Sequence, residues 1–347
     1  MAQYDAPLTQ AEFQSNLEST SLTDTTKSII LDLISNETNV DVKAWDGTSA
    51  ISGETKVLVV APVAPTAPGA TVELTLPADQ LASVKAWIFD TTENISATFN
   101  TIDRVIVGGS GENTFVVNGD HDTTIVGGDK TDTFTTTGGN DRIEAGTGAT
   151  TANTGAGFDV VIAKGDVEDY DVEIVDGALV LTSKAGASVA TTTITAKDVN
   201  FIEFSTTVEG DLANTKSIAV LGDAESATTV RLYDGLLGRN AESAGAKFWL
   251  DAQETGTSLE AIAQTFLNSA EFQTEHANLS NEAFVALLYT QALQRTDGGA
   301  ADAEGVKFWV DALNNNASRA QVAVTIVAST EAATDTEGHI KIVDGWV

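Results

Sequence analysis

The chain has 347 residues, 42% of them hydrophobic, and carries 50 Asp and Glu against 18 Lys and Arg, a formal charge of −32. That length predicts two or three domains with sizeable cores, while so negative a field repels phosphate backbones and anionic bilayers, which argues against nucleic acid and membrane as partners. There is no cysteine, so disulfides, thiolate metal sites and cysteine nucleophiles are excluded, and no apolar run reaches the length of a membrane span.

Residues 1–37 read as an N-terminal helical segment. The first residues have neither a basic start nor an apolar core, so they do not form a secretory signal. Thr9 caps a first helix with Phe13 and Leu17 on one face, and Asp24 caps a second carrying Ile29, Ile30, Leu33 and Ile34. The apolar faces pack either on the strands after them or on a neighbouring molecule. Residues 38–106 form a β-strand region, with β-branched or alternating runs at 40–45, 56–63, 71–77, 83–89 and 95–99 and with Pro62, Pro65 and Pro68 as a stiff connection. Trp45 and Trp87 recur within a repeated VKAW; they are expected in the core, the alternative being a sugar-stacking surface. Residues 101–107 look like an extra rung ahead of the repeats that begin at Gly108, with Asp103 and Val105 in register.

Residues 107–162 repeat every nine residues. Units start at Gly108, Asn118, Gly127, Thr136, Ala145 and Thr154, with Val117 as a single extra residue. The eighth position is Phe115, Ile125, Phe134, Ile143, Ala152 and Val161, all apolar. The sixth is Asn113, Thr123, Asp132, Asp141, Thr150 and Asp159, and glycines such as Gly139, Gly155 and Gly157 cluster in the first four. A strand alternates its side chains, so the eighth position points inward, and glycines allow the tight turns between strands. Stacked units bury a continuous core. An aspartate where turn meets strand offers carboxylate oxygens to a hard cation, with turn carbonyls completing an oxygen cage.

This run resembles the RTX calcium-binding repeat, G-G-x-G-x-D-x-U-x with U a large apolar residue. The resemblance implies a flattened parallel β-roll with two units per turn and calcium between units two apart. One edge then carries Asn113, Asp132 and Thr150, and the other Thr123, Asp141 and Asp159. Asp141 with Asp159 joins two intact aspartates and is the first expected Ca2+ site; Asn113 with Asp132 is the second. A metal-free roll held by its apolar ladder alone is the alternative. The family also implies export through a type I secretion system by an uncleaved C-terminal signal, which places that signal in the tail at 335–347. Asp344, Trp346 and Val347 fit loosely and Gly345 departs from the pattern.

Residues 163–208 read as a β-hairpin cap closing the roll, with Asp176-Gly177 as a type I′ turn. The composition then turns helical. Residues 244–252 (AGAKFWLDA) recur at 304–312 (EGVKFWVDA), and 233–239 (YDGLLGR) recur at 289–295 (YTQALQR). Thr257 with Glu260 and Ser318 with Gln321 are read as capping boxes at equivalent helix starts. The segment 228–334 resembles the DUF4214 helical domain. Phe248, Trp249, Phe308 and Trp309 are expected as repeated core contacts rather than a ligand cage. Arg239 and Arg295 are expected at helix C-termini, satisfying carbonyls, with an acidic glycan group as the alternative ligand.

His121, His276 and His339 are scattered, and no HExxH, G-x-S-x-G, P-loop or dinucleotide motif occurs. The expected fold class is multidomain β plus α: N-terminal helices and strands, a short parallel β-roll with a hairpin cap, and a C-terminal all-α domain. The expected function is that of a secreted, non-enzymatic calcium-binding structural protein that self-assembles in a surface layer, filament or biofilm matrix. A glycan-binding adhesin that anchors to cell-surface polysaccharide is the alternative. The expected partners are further copies of the chain and, in the adhesin alternative, polysaccharide, in an extracellular or cell-surface location.

Overall fold

The computed structural model describes residues 7–20, 22–50, 54–65, 67, 69–76, 82–100, 102–206 and 216–343. The tail residues Asp344, Trp346 and Val347 lie outside the described residues. The chain divides into two compact units, Met1–Val199 and Asn200–Val347.

In the first unit, strand β1 (Leu8–Thr9) leads into helices α1 (Gln10–Glu18) and α2 (Asp24–Leu33), and β2 (Asn39–Val40) pairs antiparallel with β1. Thr9 and Glu12 form a capping box for α1. Thr23, rather than Asp24, caps α2, because its hydroxyl accepts the Thr26 N–H. A parallel β-solenoid follows: β3 (Val42–Trp45), β4 (Val57–Val60), β5 (Thr71–Leu74), β6 (Ala86–Phe89), β7 (Asn94–Asn100), β8 (Arg104–Val107), β9 (Asn113–Asn118), β10 (Thr123–Val126), β11 (Asp132–Thr136), β12 (Arg142–Glu144), β13 (Thr150–Asn153) and β14 (Val160–Ala163). One face stacks β3, β4, β6, β8, β10, β12 and β14, and the other β5, β7, β9, β11 and β13. The antiparallel hairpin β15 (Tyr170–Val175) and β16 (Ala178–Ser183) then returns to β17 (Thr193–Lys197), which lies parallel to β13. Asp176 and Gly177 both take positive φ at the hairpin turn, as a type I′ turn requires. Parallel pairing thus runs unbroken from Val42, well before the recognisable nonapeptides.

The register explains the repeat. Residues 18 apart stack on one another, as Asp132 on Thr150 and Thr124 on Arg142, and the spacing widens to 19 across Val117, as Asn113 on Asp132. On one face the inward column is Leu58, Trp87, Ile106, Ile125, Ile143 and Val161; on the other it is Leu74, Ala97, Phe115, Phe134, Ala152 and Ala196. Trp45 and Trp87 are buried and meet edge to face at 6.0 Å, so they belong to the core. Phe115 stacks on Phe134 at 5.7 Å, and packing tapers to Ala152.

The N-terminal helices pack on the solenoid. Phe13, Leu17, Ile30 and Ile34 cover the outward column Val42, Val57, Ala86 and Val105. Further along, that column turns polar at Thr124 and Arg142. There Glu144 ties α2 down by accepting the hydroxyls of Thr23 (2.8 Å) and Thr26 (2.6 Å).

The second unit opens with β18 (Phe201–Phe204) antiparallel to β19 (Ser217–Leu221). Helix α3 (Ala224–Leu232) runs into a π-helical turn, Tyr233–Leu237. Then come α4 (Ser243–Glu254), α5 (Leu259–Asn268), α6 (Ala270–His276), α7 (Asn281–Gln291), α8 (Ala303–Asn314), α9 (Arg319–Val327) and α10 (Thr330–Asp335), and β20 (Ile340–Ile342) pairs parallel with β19. The duplicated halves pack through α5 on α9, with α4 on α3 and α8 on α7. Ser258, one residue past the expected Thr257, caps α5 and accepts the Ala261 N–H; Ser318 caps α9 through the Gln321 N–H.

Phe134 is fully buried between stacked rungs. Phe134→Ala is expected to destabilise the first unit by roughly 3–5 kcal/mol, read as a lowered midpoint in thermal or urea denaturation. A loss below about 1 kcal/mol would mean that the rung relaxes to fill the space.

Candidate functional site

The sixth position of each nonapeptide faces inward at the start of its strand, so these polar side chains are buried. Asn113, Thr123, Asp132, Asp141, Thr150 and Asp159 are all at most 1% exposed. They form two columns: Asn113, Asp132 and Thr150 on one edge, and Thr123, Asp141 and Asp159 on the other.

On the second edge each carboxylate caps the rung before it. Asp141 Oδ1 accepts the Thr123 N–H at 2.8 Å, and Asp159 Oδ1 accepts the Asp141 N–H at 2.7 Å. Asp141 Oδ2 is buried without a hydrogen-bond partner. The nearby Thr136 hydroxyl donates instead to the Thr154 carbonyl at 2.8 Å. Burial pushes the Asp141 carboxyl up to about 8, and the charges of Asp159 and Asp122 push the same way. Burial likewise lifts Asp159 to about 7, with Asp122 and Asp198 contributing. Burial therefore favours the neutral, protonated form of both carboxyls, and a nearby cation would be needed to hold them ionised.

A second ladder, in the fifth position, runs beside it. Asp122 Oδ1 accepts the Asn140 N–H (2.7 Å) and its side-chain amide (3.1 Å), and Asn140 Oδ1 accepts the Phe158 N–H (3.2 Å). The nonapeptide pattern marks no role for Asp122. The signal that could have found it is the Asp122, Asn140, Phe158 spacing of 18 residues. A cavity of about 420 Å³, lined in part by Asp103, Arg104, Asp122, Thr123 and Asn140, opens beside this edge.

The first rung of this edge corrects the expected register. Ile106, not Val105, stacks on Ile125, so Arg104 rather than Asp103 occupies the sixth position. Val105 and Ile106 are both fully buried, one under the N-terminal helices and one in the solenoid, and an apolar pattern alone does not separate them. Arg104 lies over the Phe99 ring and donates to the carbonyls of Ile102 and Asn100. Burial pulls its guanidinium down to about 10.

On the other edge the Asn113–Asp132 pair is closed, while the Thr150 hydroxyl is buried without a hydrogen-bond partner. Asp132 Oδ1 accepts the Asn113 N–H (3.0 Å) and side-chain amide (2.8 Å), and Oδ2 accepts the Gly128 N–H (2.7 Å). The Asn113 amide also donates to the Gly109 and Gly111 carbonyls, both at 3.0 Å. Asn113 supplies donors where an aspartate would supply charge, so both Asp132 oxygens are already engaged. The chemistry of this pair does not suit a cation; that of Asp141 and Asp159, with a buried unsatisfied oxygen, does. Among the described residues, no three His, Asp or Glu side chains gather into a metal-holding group. An ion at Asp141 and Asp159 would therefore need backbone carbonyls as further ligands.

Gly139, Gly155 and Gly157 all have positive φ. A Cβ on Gly157 would sit 1.9 Å from the Gly139 carbonyl oxygen, and one on Gly139 2.4 Å from that of His121. Their absence of side chain lets turn stack directly on turn.

In the helical unit, Arg239 and Arg295 grip carboxylates rather than serving chiefly as carbonyl caps. Arg239 lies over the Tyr233 ring at 5.0 Å and binds Glu271 (2.6 Å) and Glu242 (2.5 Å). Arg295 lies over Tyr289 at 5.1 Å and binds Glu331 (2.6 Å) and Asp302 (3.5 Å). Gly245 and Gly305 make room for the two tyrosine hydroxyls. Each half is thus locked by the same Tyr–Arg–carboxylate cluster, and these arginines are already occupied. Phe248 and Phe308, expected in the core, are 62% and 63% exposed; Trp249 and Trp309 beside them are half-buried.

Because the Asp141 and Asp159 carboxyls titrate higher folded than in their ordinary range near 3.8, the folded state binds more protons and stability falls as pH rises toward about 8. In EDTA the Tm is expected to drop between about pH 4 and pH 8 and to level off above that, by about 2–4 °C for each kcal/mol lost. Asp141→Asn keeps an oxygen for the Thr123 N–H and should flatten that slope. Equal slopes in the two proteins would show that Asp141 is ordinarily ionised.

Compared with known families, residues 219–276 and 263–336 each match the family described as Domain of unknown function (DUF4214). No curated protein and no solved structure matches the chain. The two matches follow the internal duplication, and the C-terminal helical region carries this domain.

Proposed function

We propose that the protein is a secreted bacterial calcium-binding structural protein. In this reading it self-assembles at the cell surface or in the extracellular matrix, as a surface layer, filament or biofilm matrix. The observation that carries the calcium assignment is the buried, unsatisfied Asp141 oxygen beside Asp159 in a stacked solenoid. Asp141 and Asp159 would hold the ion, with carbonyls from the turns at Gly139, Gly155 and Gly157 as its remaining ligands. Bound calcium would supply the positive charge that lets these two buried carboxyls ionise. The protein's own residues supply the rest: an apolar ladder that fixes the turns, and backbone N–H groups that hold each carboxylate in place. Screening of the −32 charge favours packing of like subunits.

The solenoid's likeness to an RTX β-roll supports export by a type I route. The role proposed is mechanical rather than catalytic. A second reading, a glycan-binding adhesin anchored to cell-surface polysaccharide, is favoured by one observation: an exposed phenylalanine at the same place in each half of the helical unit.

Melting in EDTA and in roughly 10 mM calcium, about ten- to a hundredfold over the Kd range of extracellular calcium modules, tests the calcium reading. Calcium is expected to raise the Tm; a concentration a hundredfold over Kd corresponds to about 2.7 kcal/mol. The rise should vanish in the Asp141→Asn, Asp159→Asn double variant and persist in Asp132→Asn. Identical wild-type melting with and without calcium contradicts the assignment.

A further inference from the structure

The acidic edge begins with a base. Arg104 stacks on Thr123, and Asp141 and Asp159 follow in the same column. Lys56 and Lys85 hold the same position in the two rungs before, each one residue ahead of the stacked Val57, Ala86 and Val105. The column thus changes sign along its length: basic at Lys56, Lys85 and Arg104, a hydroxyl at Thr123, acidic at Asp141 and Asp159. In a chain with 18 basic residues against 50 acidic ones, three basic residues in successive rungs run against the composition. Arg104 is 1% exposed, and a buried charge is costly unless the fold answers it. The answer here is backbone. Its Nε donates to the Ile102 carbonyl at 3.0 Å and its Nη2 to the Asn100 carbonyl, while Nη1 is buried without a partner.

We propose that Arg104 is a cation built into the fold, doing for the first turn of this edge what calcium would do beside Asp141 and Asp159, and so confining the ion to the end of the column. This rests on the calcium reading above and deepens it by naming the residue that limits the site. The carbonyls it holds carry the correspondence. Asn100 and Ile102 lie four and two residues before Arg104; Gly155 and Gly157 lie four and two before Asp159, and Gly139 lies two before Asp141. The turns stack in that register, with Asn100 on Asn118, Gly139 against His121 and Gly157 against Gly139. In the first turn those two carbonyls take donors from a guanidinium. In the last turns the sixth position is an aspartate, which brings the opposite charge to the same place and leaves the positive charge to a metal. A divalent ion in the Arg104 turn would meet a fixed like charge in a water-poor interior, where repulsion is strong. The edge therefore takes one ion, at its acidic end.

Calorimetric calcium titration of the full chain, with bound ions counted by native mass spectrometry, tests this. The wild type is expected to take one ion. Thr123→Asp adds a carboxylate between Arg104 and Asp141 and is expected still to take one, because the buried Nη1 of Arg104 becomes its partner. Arg104→Met keeps an apolar stem and removes the charge; combined with Thr123→Asp it is expected to raise the count to two. Arg104→Met alone should stay at one ion and melt lower in EDTA, since two carbonyls lose their donors. A double variant that keeps the wild-type circular dichroism and still takes one ion overturns the role of Arg104 while leaving Asp141 and Asp159 as the calcium site. Thr123→Asp alone reaching two ions overturns it as well. Should the double variant not fold, diffraction from wild-type crystals grown in calcium decides. Ion density confined to Asp141 and Asp159 supports the proposal, and density at the Asn100 and Ile102 carbonyls overturns it. A wild type that takes no calcium overturns the calcium reading and this proposal with it.

Discussion

The solenoid depends on a polar residue that must point inward. Every half-turn places its sixth residue at the start of a strand, facing the core, where water does not reach. The residue there has to satisfy the backbone of the adjacent rung from inside. Aspartate does so with one carboxylate oxygen, as Asp159 does for Asp141 and Asp141 for Thr123. The same geometry leaves a second oxygen and a full charge to be dealt with. On one edge Asn113 and the Gly128 N–H absorb it for Asp132. On the other, Asp141 retains a buried oxygen without a hydrogen bond. The two edges of one solenoid thus carry different solutions to a common problem, and only the second leaves an aspartate oxygen without a hydrogen bond.

The N-terminal helices and the helical unit solve different problems. A solenoid face that is apolar outside must be covered, and α1 and α2 cover Val42, Val57, Ala86 and Val105. Where the outward column becomes polar, Glu144 accepts two threonine hydroxyls from α2 instead. The helical unit is built by duplication: each half is clamped by an arginine stacked on a tyrosine and held by two carboxylates. Arginine pairs of this kind fix geometry, because a guanidinium fork meets its carboxylates in few orientations. That rigidity holds α4 and α8 in fixed presentation.

Much of the first unit was legible because its period is physical. The nine-residue spacing of Phe115, Ile125, Phe134 and Ile143 marks the inward column, and the two edges of sixth-position residues follow from it. The first rung was not legible, since Val105 and Ile106 are both apolar and both buried for different reasons. The strands from Val42 onward lack glycine pairs, so their place in the same ladder was hidden. In the helical unit, repetition marks equivalent positions but not burial. Phe248 and Trp249 are adjacent on one helix and cannot both face the core, and nothing in the pattern says which one turns out. The partners of Arg239 lie 3 and 32 residues away, and only the fold brings Glu271 to it.

The central claim is that the Asp141 and Asp159 edge is incomplete without a divalent cation. Diffraction from crystals grown in calcium tests it most directly. The claim predicts one strong density feature beside Asp141 Oδ2, with oxygen ligands at about 2.3–2.6 Å, and none beside Asp132. Well-ordered density for both carboxylates with no ion between them would contradict it.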